Sequence, residues 1–247
     1  MVVDKPAGWT SHDVVAKSRG LLGTRKVGHA GTLDPDATGV LLLGVGRATK
    51  LLRYLSPLGK AYVGEVVFGT ETSTLDAAGE VTATHDMAGL TLERVAEAAR
   101  AFVGPIEQIP PMVSAVKIEG RRLHELARQG IEVERPPRPV TIHSLAVRPG
   151  PDGEPHVFTI EVSCSSGTYI RTLAADLGHA LGGGAHLRNL RRSAVGPFTL
   201  DDAVPLEQVG PDRVRPLVEV VRHLPHLVVD ADLVEADAVG KELEREA

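Results

Sequence analysis

Residues Gly28-His29-Ala30-Gly31-Thr32-Leu33-Asp34-Pro35-Asp36-Ala37-Thr38-Gly39-Val40-Leu41 join a glycine-punctuated loop to an apolar run. The loop carries one histidine and two acids, and the run through Val40, Leu41, Leu42 and Leu43 has no polar position. Four apolar residues in succession read as a strand buried on both faces. Such a strand holds the preceding loop rigidly against a core, which suits a site better than a free surface turn. Pro35 pushes Asp34 toward an extended backbone, so its carboxylate is expected to project away from the local chain. An Asp-Pro pair in a Gly-rich loop also makes an ordinary turn, so the weight of this one comes from the rest of the chain.

The 247 residues suffice for one large domain and a small appendage. Ordinary charge density and 43% hydrophobic residues exclude a disordered chain. The lone Cys164 excludes an internal disulfide framework and a cysteine-rich zinc site, and fits a reducing cytoplasm. The start, Met1-Val2-Val3-Asp4-Lys5-Pro6, lacks the pattern of a signal peptide, and no apolar run approaches membrane-spanning length. The expectation is a cytoplasmic protein with no membrane contact.

A net charge of −5 looks wrong for a nucleic-acid binder until it is located. From Asp201 onward there are 12 acids and 5 Lys plus Arg, which leaves 20 acids and 22 bases in residues 1–200. The acidity sits in the tail. Basic residues cluster at Lys117, Arg121, Arg122 and Arg128, and again at Arg188, Arg191 and Arg192. Clusters of this kind are the local footprint that matters for phosphates, although each alone is equally a solvated face.

Working outward, Val2-Val3 reads as a short strand, and Ser11 as the N-cap of a helix through Leu22 stopped by Gly23. Thr49 to Leu55 is expected to form a short helix. Lys60 to Phe68 alternates as a strand with Tyr62, Gly64, Val66 and Phe68 on one face. Gly69 to Gly79 reads as a polar loop, and Thr91 to Val103 as a helix ended by Gly104. Val113 to Ile118 is expected as a strand, Glu119-Gly120 as a turn, and Arg121 to Gln129 as a short basic helix. Val140 to Val147, Val157 to Ser163, His186 to Ser193 and Phe198 to Leu200 read as strands. Thr168 to Leu181 reads as an amphipathic helix halted by Gly182-Gly183-Gly184. From about Pro205 the pattern is acidic and mostly helical. Strands and helices mix without regular alternation, so the fold class is α+β with a large mixed, mainly antiparallel sheet.

The loop resembles the G-x-L-D motif of pseudouridine synthases, and its longer form, G-H-A-G-T-L-D-P-x-A-T-G-V-L, is similar to the bacterial TruB family of tRNA pseudouridine-55 synthases. Val3-Asp4-Lys5-Pro6-Ala7-Gly8 resembles that family's N-terminal K-P-x-G motif. Gly59-Lys60-Ala61-Tyr62 matches the motif of an active-site tyrosine. Cys164-Ser165-Ser166-Gly167-Thr168-Tyr169-Ile170-Arg171 matches one supplying an arginine and a second tyrosine. Leu187-Arg188-Asn189-Leu190-Arg191-Arg192 is similar to the segment whose leucine packs on the target base. The resemblance covers roughly residues 1–200 and implies the pseudouridine synthase fold over 1–204. Within it, about 108–139 resembles the thumb that clamps RNA. Residues 205–247 are too few for a full PUA-type RNA-binding domain, so a truncated or reduced PUA-like segment is expected there.

The isomerisation breaks the uracil N1–C1′ bond, turns the held base, and joins C5 to the sugar as C5 loses its proton. It requires no redox step, phosphoryl transfer or metal, so no cofactor is expected. A carboxylate can attack the sugar carbon, attack C6 of the base, or assist elimination. Asp34 is the candidate, and in a partly dry pocket it needs a cation beside it. Arg171 is that cation. It falls in the first turn of its predicted helix, against the local dipole preference. Tyr62 offers a stacking face and a hydroxyl able to assist proton removal.

The resemblance adds Tyr169, Leu190 and Lys5 as substrate-binding residues. His29 alone reads as a metal ligand, a core histidine or a stacking group; its spacing to Asp34 and Asp36 is a poor metal signature, and the resemblance favours stacking. Lys117, Arg121, Arg122, Arg128, Arg188 and Arg191 are the candidate RNA contacts. The implied substrate is a tRNA T stem-loop with the target uridine flipped out, bound by a monomer with no obligatory protein partner. A non-catalytic tRNA-binding or folding module of the same fold, and a guide-RNA-dependent synthase, are the alternatives. Val113 and His124 stand where the family commonly has aromatic residues, and Glu71 where Asp is frequent.

Overall fold

The computed structural model describes residues 1–114, 117–118, 121–123, 126, 129–131 and 133–221, without the side chains of 117, 118, 122 and 221. It divides into two compact units, Met1–Val214 and Arg215–Ala247. The first unit begins with β1 (Val2–Lys5), α1 (Ser11–Leu21), β2 (Val27–Ala30), β3 (Thr38–Val45), α2 (Leu52–Leu55) and β4 (Lys60–Phe68). It continues through β5 (Thr70–Thr72), β6 (Val81–Thr84), α3 (Leu92–Arg100), β7 (Gly104–Gln108), β8 (Lys117–Ile118) and β9 (Arg121–Arg122). The last part is β10 (Arg138–Pro149), β11 (Val157–Cys164), α4 (Ile170–Ala180), β12 (Ala185–Val195), β13 (Phe198–Thr199) and β14 (Val204–Pro205). In the second unit the described element is α5 (Leu217–Val221). Among the described residues no helix is long and apolar enough to cross a membrane.

One mixed sheet runs β14-β1-β3-β12-β4-β11-β10-β7, with β2 added to β3 and β13 to β12. The pairs β1–β14 and β3–β12 are parallel, and the long central pairs β4–β12, β4–β11 and β10–β11 are antiparallel. The α+β class with a mainly antiparallel mixed sheet is therefore the observed one.

The apolar run explains its own position. Val40 to Leu43 are all buried. Leu41 and Leu43 pack with Val3, Val14, Val15 and Val27, which leaves Val40 and Leu42 for the other face. A strand with no polar face is stable only inside the sheet, and β3 lies between β1 and β12. A larger core joins the alternating residues Tyr62, Val66 and Phe68 of β4 to Ile160 and Val162 of β11 and to Leu173 and Leu177 of α4. Gly39 allows β3 and β12 to meet: at φ +102, a Cβ there would fall 2.2 Å from the Arg192 carbonyl oxygen, so only glycine fits.

Several local expectations are corrected. Thr10, not Ser11, caps α1; its hydroxyl accepts from the Asp13 amide while the Asp13 carboxylate accepts from the Thr10 amide. Thr49–Leu55 divides into a 3₁₀ turn, Gly46–Leu51, and α2. The polar stretch after β4 contains β5, which pairs with β6 as a hairpin, and Gly104 begins the edge strand β7. Val113 and Ser114 are not in a strand, and Arg121–Arg122 form β9 against β8 instead of opening a helix. Glu119-Gly120, and His124 with much of the expected helix, lie outside the described residues. Beyond Val204 the first unit continues, because Leu206 and Val209 are buried with Met1, Val3 and Val14.

Candidate active site

The Asp34 loop is gripped from three directions by groups far away in sequence. From the N-terminal segment, the Lys5 ammonium donates to the carbonyls of Pro6 at 2.9 Å, Trp9 at 2.5 Å and Pro35 at 2.8 Å. The Gly8 amide donates to the same Pro35 carbonyl at 3.0 Å. From α1, the buried Ser11 hydroxyl accepts from the Leu33 amide at 2.9 Å and donates to the Leu33 carbonyl at 3.2 Å. That engagement explains why Thr10 is left to cap the helix. From β12, Arg192 donates to the carbonyls of Val40 at 2.7 Å, Gly31 at 2.9 Å and Thr32 at 3.4 Å. A loop tied on both sides of one carboxylate is a preorganised site.

Asp34 faces Arg171 as expected: Nη2 lies 3.0 Å from Oδ2. The arginine side chain is 5% exposed, whereas that of Asp34 is 44% exposed and opens onto a cleft. Four acceptors fix the guanidinium. Nη2 also donates to the Val113 carbonyl at 2.7 Å, and Nη1 donates to the Thr74 carbonyl at 2.9 Å and faces Asp76 Oδ2 at 3.3 Å. Burial pushes the Asp34 carboxyl above the ordinary carboxylate range, Arg171 pulls it back, and Asp76 pushes it up again. Arg171 is the second residue of α4, so the helix that buries Leu173 and Leu177 also aims it.

Two adjoining chambers share Asp34, Arg171 and Leu190. The larger, about 450 Å³, is lined by Asp36, Thr74, Asp76, Val113 and Asn189 among others. The smaller, about 290 Å³, is lined by Lys60, Tyr62, Tyr169, Ile170 and Arg192. Tyr62 comes from the inward face of β4, and burial raises its phenol pKa against the neighbouring Arg192 guanidinium, which lowers it. Tyr169 precedes α4 with its backbone held by the Gln108 amide at 2.9 and 3.2 Å. Leu190 follows Asn189, whose φ of +52 turns the strand locally, and it packs close to Gly64. A Cβ on Gly64 would sit 3.3 Å from the Leu190 methyl, so the strand glycine makes room for the leucine.

Other expected residues are placed differently. His29 stands on β2 edge-on to His12, with ring centroids 5.2 Å apart, and is not among the residues lining either chamber. Burial lowers its pKa, so the ring is held neutral. Lys5 is fully buried and its three donors are engaged by carbonyls, so it clamps the loop instead of facing a substrate. Arg188 is paired with Glu65 at 2.6 Å and Glu154 at 2.7 Å, and Arg191 with Asp4 at 2.7 Å, so neither is a free cation for phosphate. Arg121 donates to Gln129 at 2.6 Å on the surface. The backbones of Lys117 and Arg122 form the β8–β9 pair; their side chains, and Arg128 entirely, lie outside the described residues. Glu71 accepts from His85 at 2.7 Å, away from the chambers.

The placement of Lys5 carries a test. Lys5→Met strands the carbonyls of Pro6 and Trp9 at roughly 1 kcal/mol or more each and leaves that of Pro35 to the Gly8 amide. A loss of about 2–3 kcal/mol lowers Tm by roughly 4–12 °C in a chain of this size. The expected result in a thermal melt is that fall, with tRNA affinity and its salt dependence unchanged. Weaker salt-dependent binding at an unaltered Tm would instead return Lys5 to the substrate.

Residues missed as site components are Arg192, Lys60, Asp76 and Gln108. The sequence offered one signal for the first, an arginine beside a second arginine on a predicted strand, where neighbours face opposite ways. Arg191 does turn outward to Asp4, and Arg192 inward to the loop.

The chain matches the family model of the TruB family pseudouridylate synthase (N terminal domain) over residues 19–170. It matches the tRNA pseudouridylate synthase B C-terminal domain over 171–215, a stretch that here holds most of α4 and β12 to β14 and, Arg215 apart, lies in the first unit. It is 51% identical over 249 residues to the tRNA pseudouridine synthase B of Rhodococcus jostii (strain RHA1), covering 99% of this chain and 82% of that protein. To the tRNA pseudouridine synthase B of Shouchella clausii (strain KSM-K16) it is 45% identical, covering 100% and 85%. Among solved structures it is similar to a chain in the crystal structure of a Cbf5-Nop10-Gar1 complex, with a TM-score of 0.76 and 29% identity, covering 98% of this chain and 68% of that one.

Proposed function

The chain belongs to the TruB family of pseudouridylate synthases and is a tRNA pseudouridine synthase, and on that premise we propose that Asp34 carries the isomerisation of the T-loop uridine at tRNA position 55. The observation that supports this reading is the Asp34–Arg171 pair at the junction of two chambers. Arg171 keeps a desolvated carboxylate available as the nucleophile. The flipped-out uracil occupies the smaller chamber between Tyr62 and Leu190. The Tyr62 hydroxyl assists removal of the C5 proton. His29 stands on the strand that leads into the Asp34 loop, and its neutral ring stacks where the displaced base had been. Tyr169 lines the same chamber as Tyr62.

The first unit, Met1–Val214, is the catalytic domain in this reading, and the stretch about 108–139 acts as the thumb. The protein works in the cytoplasm as a monomer on free tRNA, with no cofactor or protein partner. The likeness to a chain crystallised with Nop10 and Gar1 keeps one rival specific, a synthase that requires guide RNA and partners. Tritium release from tRNA labelled at uracil C5, with purified protein and no other component, tests both. Release that disappears when position 55 is changed supports the proposal; release only after a guide RNA is added supports the rival. Binding without release supports a folding module.

A further inference from the structure

The smaller chamber has an imbalance of charge that the proposed function does not use. Arg171 has two carboxylates, Asp34 and Asp76. Lys60 and Arg192 have none within ion-pair distance among the described residues, although they are 7% and 1% exposed. Both flank Gly31: a Cβ there would lie 3.5 Å from Arg192 Nη1 and 3.6 Å from Lys60 Cε. The Lys60 ammonium donates to the carbonyls of Ser56 at 2.7 Å and Leu58 at 2.6 Å, which engages two of its three donors. Two buried like charges without a carboxylate are costly, and carbonyls alone compensate them incompletely. A site so built is poised for an anion.

Uridine is neutral, but the reaction makes the base an anion. If the N1–C1′ bond breaks, its electron pair remains on the ring. If the carboxylate first attacks C6, the C5–C6 π pair moves into an enolate reaching O4. In either case N1–C1′ cleavage leaves its pair on the ring, a ring pair bonds C5 to C1′, and the Asp34 carboxylate departs from whichever carbon it attacked. The C5 proton leaves and N1 gains one, so the isomerisation balances. We propose that Lys60 and Arg192 form an electropositive wall for this transient anionic base, with Lys60 as a further catalytic residue. This rests on the placement of uracil in the smaller chamber. The ground state gains little from the wall and the transition state much, which is the condition for rate acceleration.

Burial, and then the neighbouring Arg192, lower the Lys60 pKa to about 8. Of the other groups around the chamber, Tyr62 and Cys164 are pushed up by burial, Asp34 is a carboxylate, Arg171 and Arg192 are guanidiniums, and Tyr169 is a phenol. Lys60 is thus the group lining this chamber whose charge is lost as pH rises through about 8. Lys5, behind the Asp34 loop, is lowered by burial to about 8 as well, so only the part of a pH fall that depends on residue 60 reports on Lys60.

The test is single-turnover tritium release by wild type, Lys60→Gln, Lys60→Arg and Asp34→Asn, together with tRNA Kd across salt. Lys60→Gln is expected to slow the chemical step by about 10–100-fold with Kd and salt slope unchanged. Lys60→Arg is expected to recover to within about tenfold. The wild-type rate should fall above about pH 8, and the Lys60→Arg rate should fall less, since only Lys5 still titrates there, which decides the matter even if Lys60→Gln folds poorly. A full rate for Lys60→Gln, or a pH fall in Lys60→Arg as large as that of wild type, overturns the inference. A salt slope reduced by about one at unchanged rate also overturns it, since the anion would then be an RNA phosphate. Silent wild type would instead defeat the reading of the site on which the inference stands.

Discussion

Asp34→Asn is expected to release no tritium above background, a fall of at least about 10⁴-fold, while tRNA binding stays within about twofold of wild type. The amide keeps the shape of the carboxylate but cannot act as a nucleophile. Its neighbours should stay in place, because Lys5, Ser11 and Arg192 grip the backbone on either side without touching the side chain. Arg171 retains Asp76 and the carbonyls of Thr74 and Val113. The melt should therefore be nearly unchanged. Residual turnover with the amide, or a parallel collapse of folding, would remove Asp34 from the role.

Arg171→Ala should cost about 10³-fold in turnover at pH 7, with affinity for tRNA altered much less. Its removal leaves Asp34 and Asp76 facing a cleft with no shared cation, and strands the Thr74 and Val113 carbonyls. Breaking a buried pair on one side typically costs about 3–5 kcal/mol, so the more informative variant is Arg171→Lys, which keeps the charge. The sign of the pH effect follows from the carboxylate. Asp34 already titrates high because of burial, and Arg171 opposes that shift. Without the guanidinium its pKa climbs further, and the active ionised form is lost as pH falls through that higher value. The acid limb of the single-turnover profile should thus move to higher pH in Arg171→Ala and less in Arg171→Lys. An acid limb in the wild-type position would show that Arg171 does not set the ionisation of Asp34.

What local pattern encodes was legible. The apolar run at Val40–Leu43 is buried on both faces, the alternation through β4 places Tyr62 inward, and the amphipathic α4 begins where an arginine can meet the loop. Periods of two and 3.6 residues act over a few positions, so they survive in the sequence without knowledge of partners. The errors fall where a side chain had a distant alternative. Ser11 is a good cap by type, but it is held by Leu33, and Thr10 caps in its place. The polar stretch after β4 has little apolar alternation, yet its backbone pairs as β5 and β6.

The sequence by itself determined the α+β class, the buried strand behind the Asp34 loop, and the motifs in which Asp34, Tyr62 and Arg171 stand. Register in the sheet decided the rest. The charge on a side chain is written in the sequence, but its use depends on what stands opposite. Arg191 and Arg192 are adjacent and chemically alike; one meets Asp4 across the sheet and the other enters the loop as a buried brace. Lys5 and Arg188, which read as contacts for substrate and RNA, are taken by the protein's own carbonyls and carboxylates. Those partners lie 30 and 123 positions away along the chain, a separation closed only by tertiary pairing of strands.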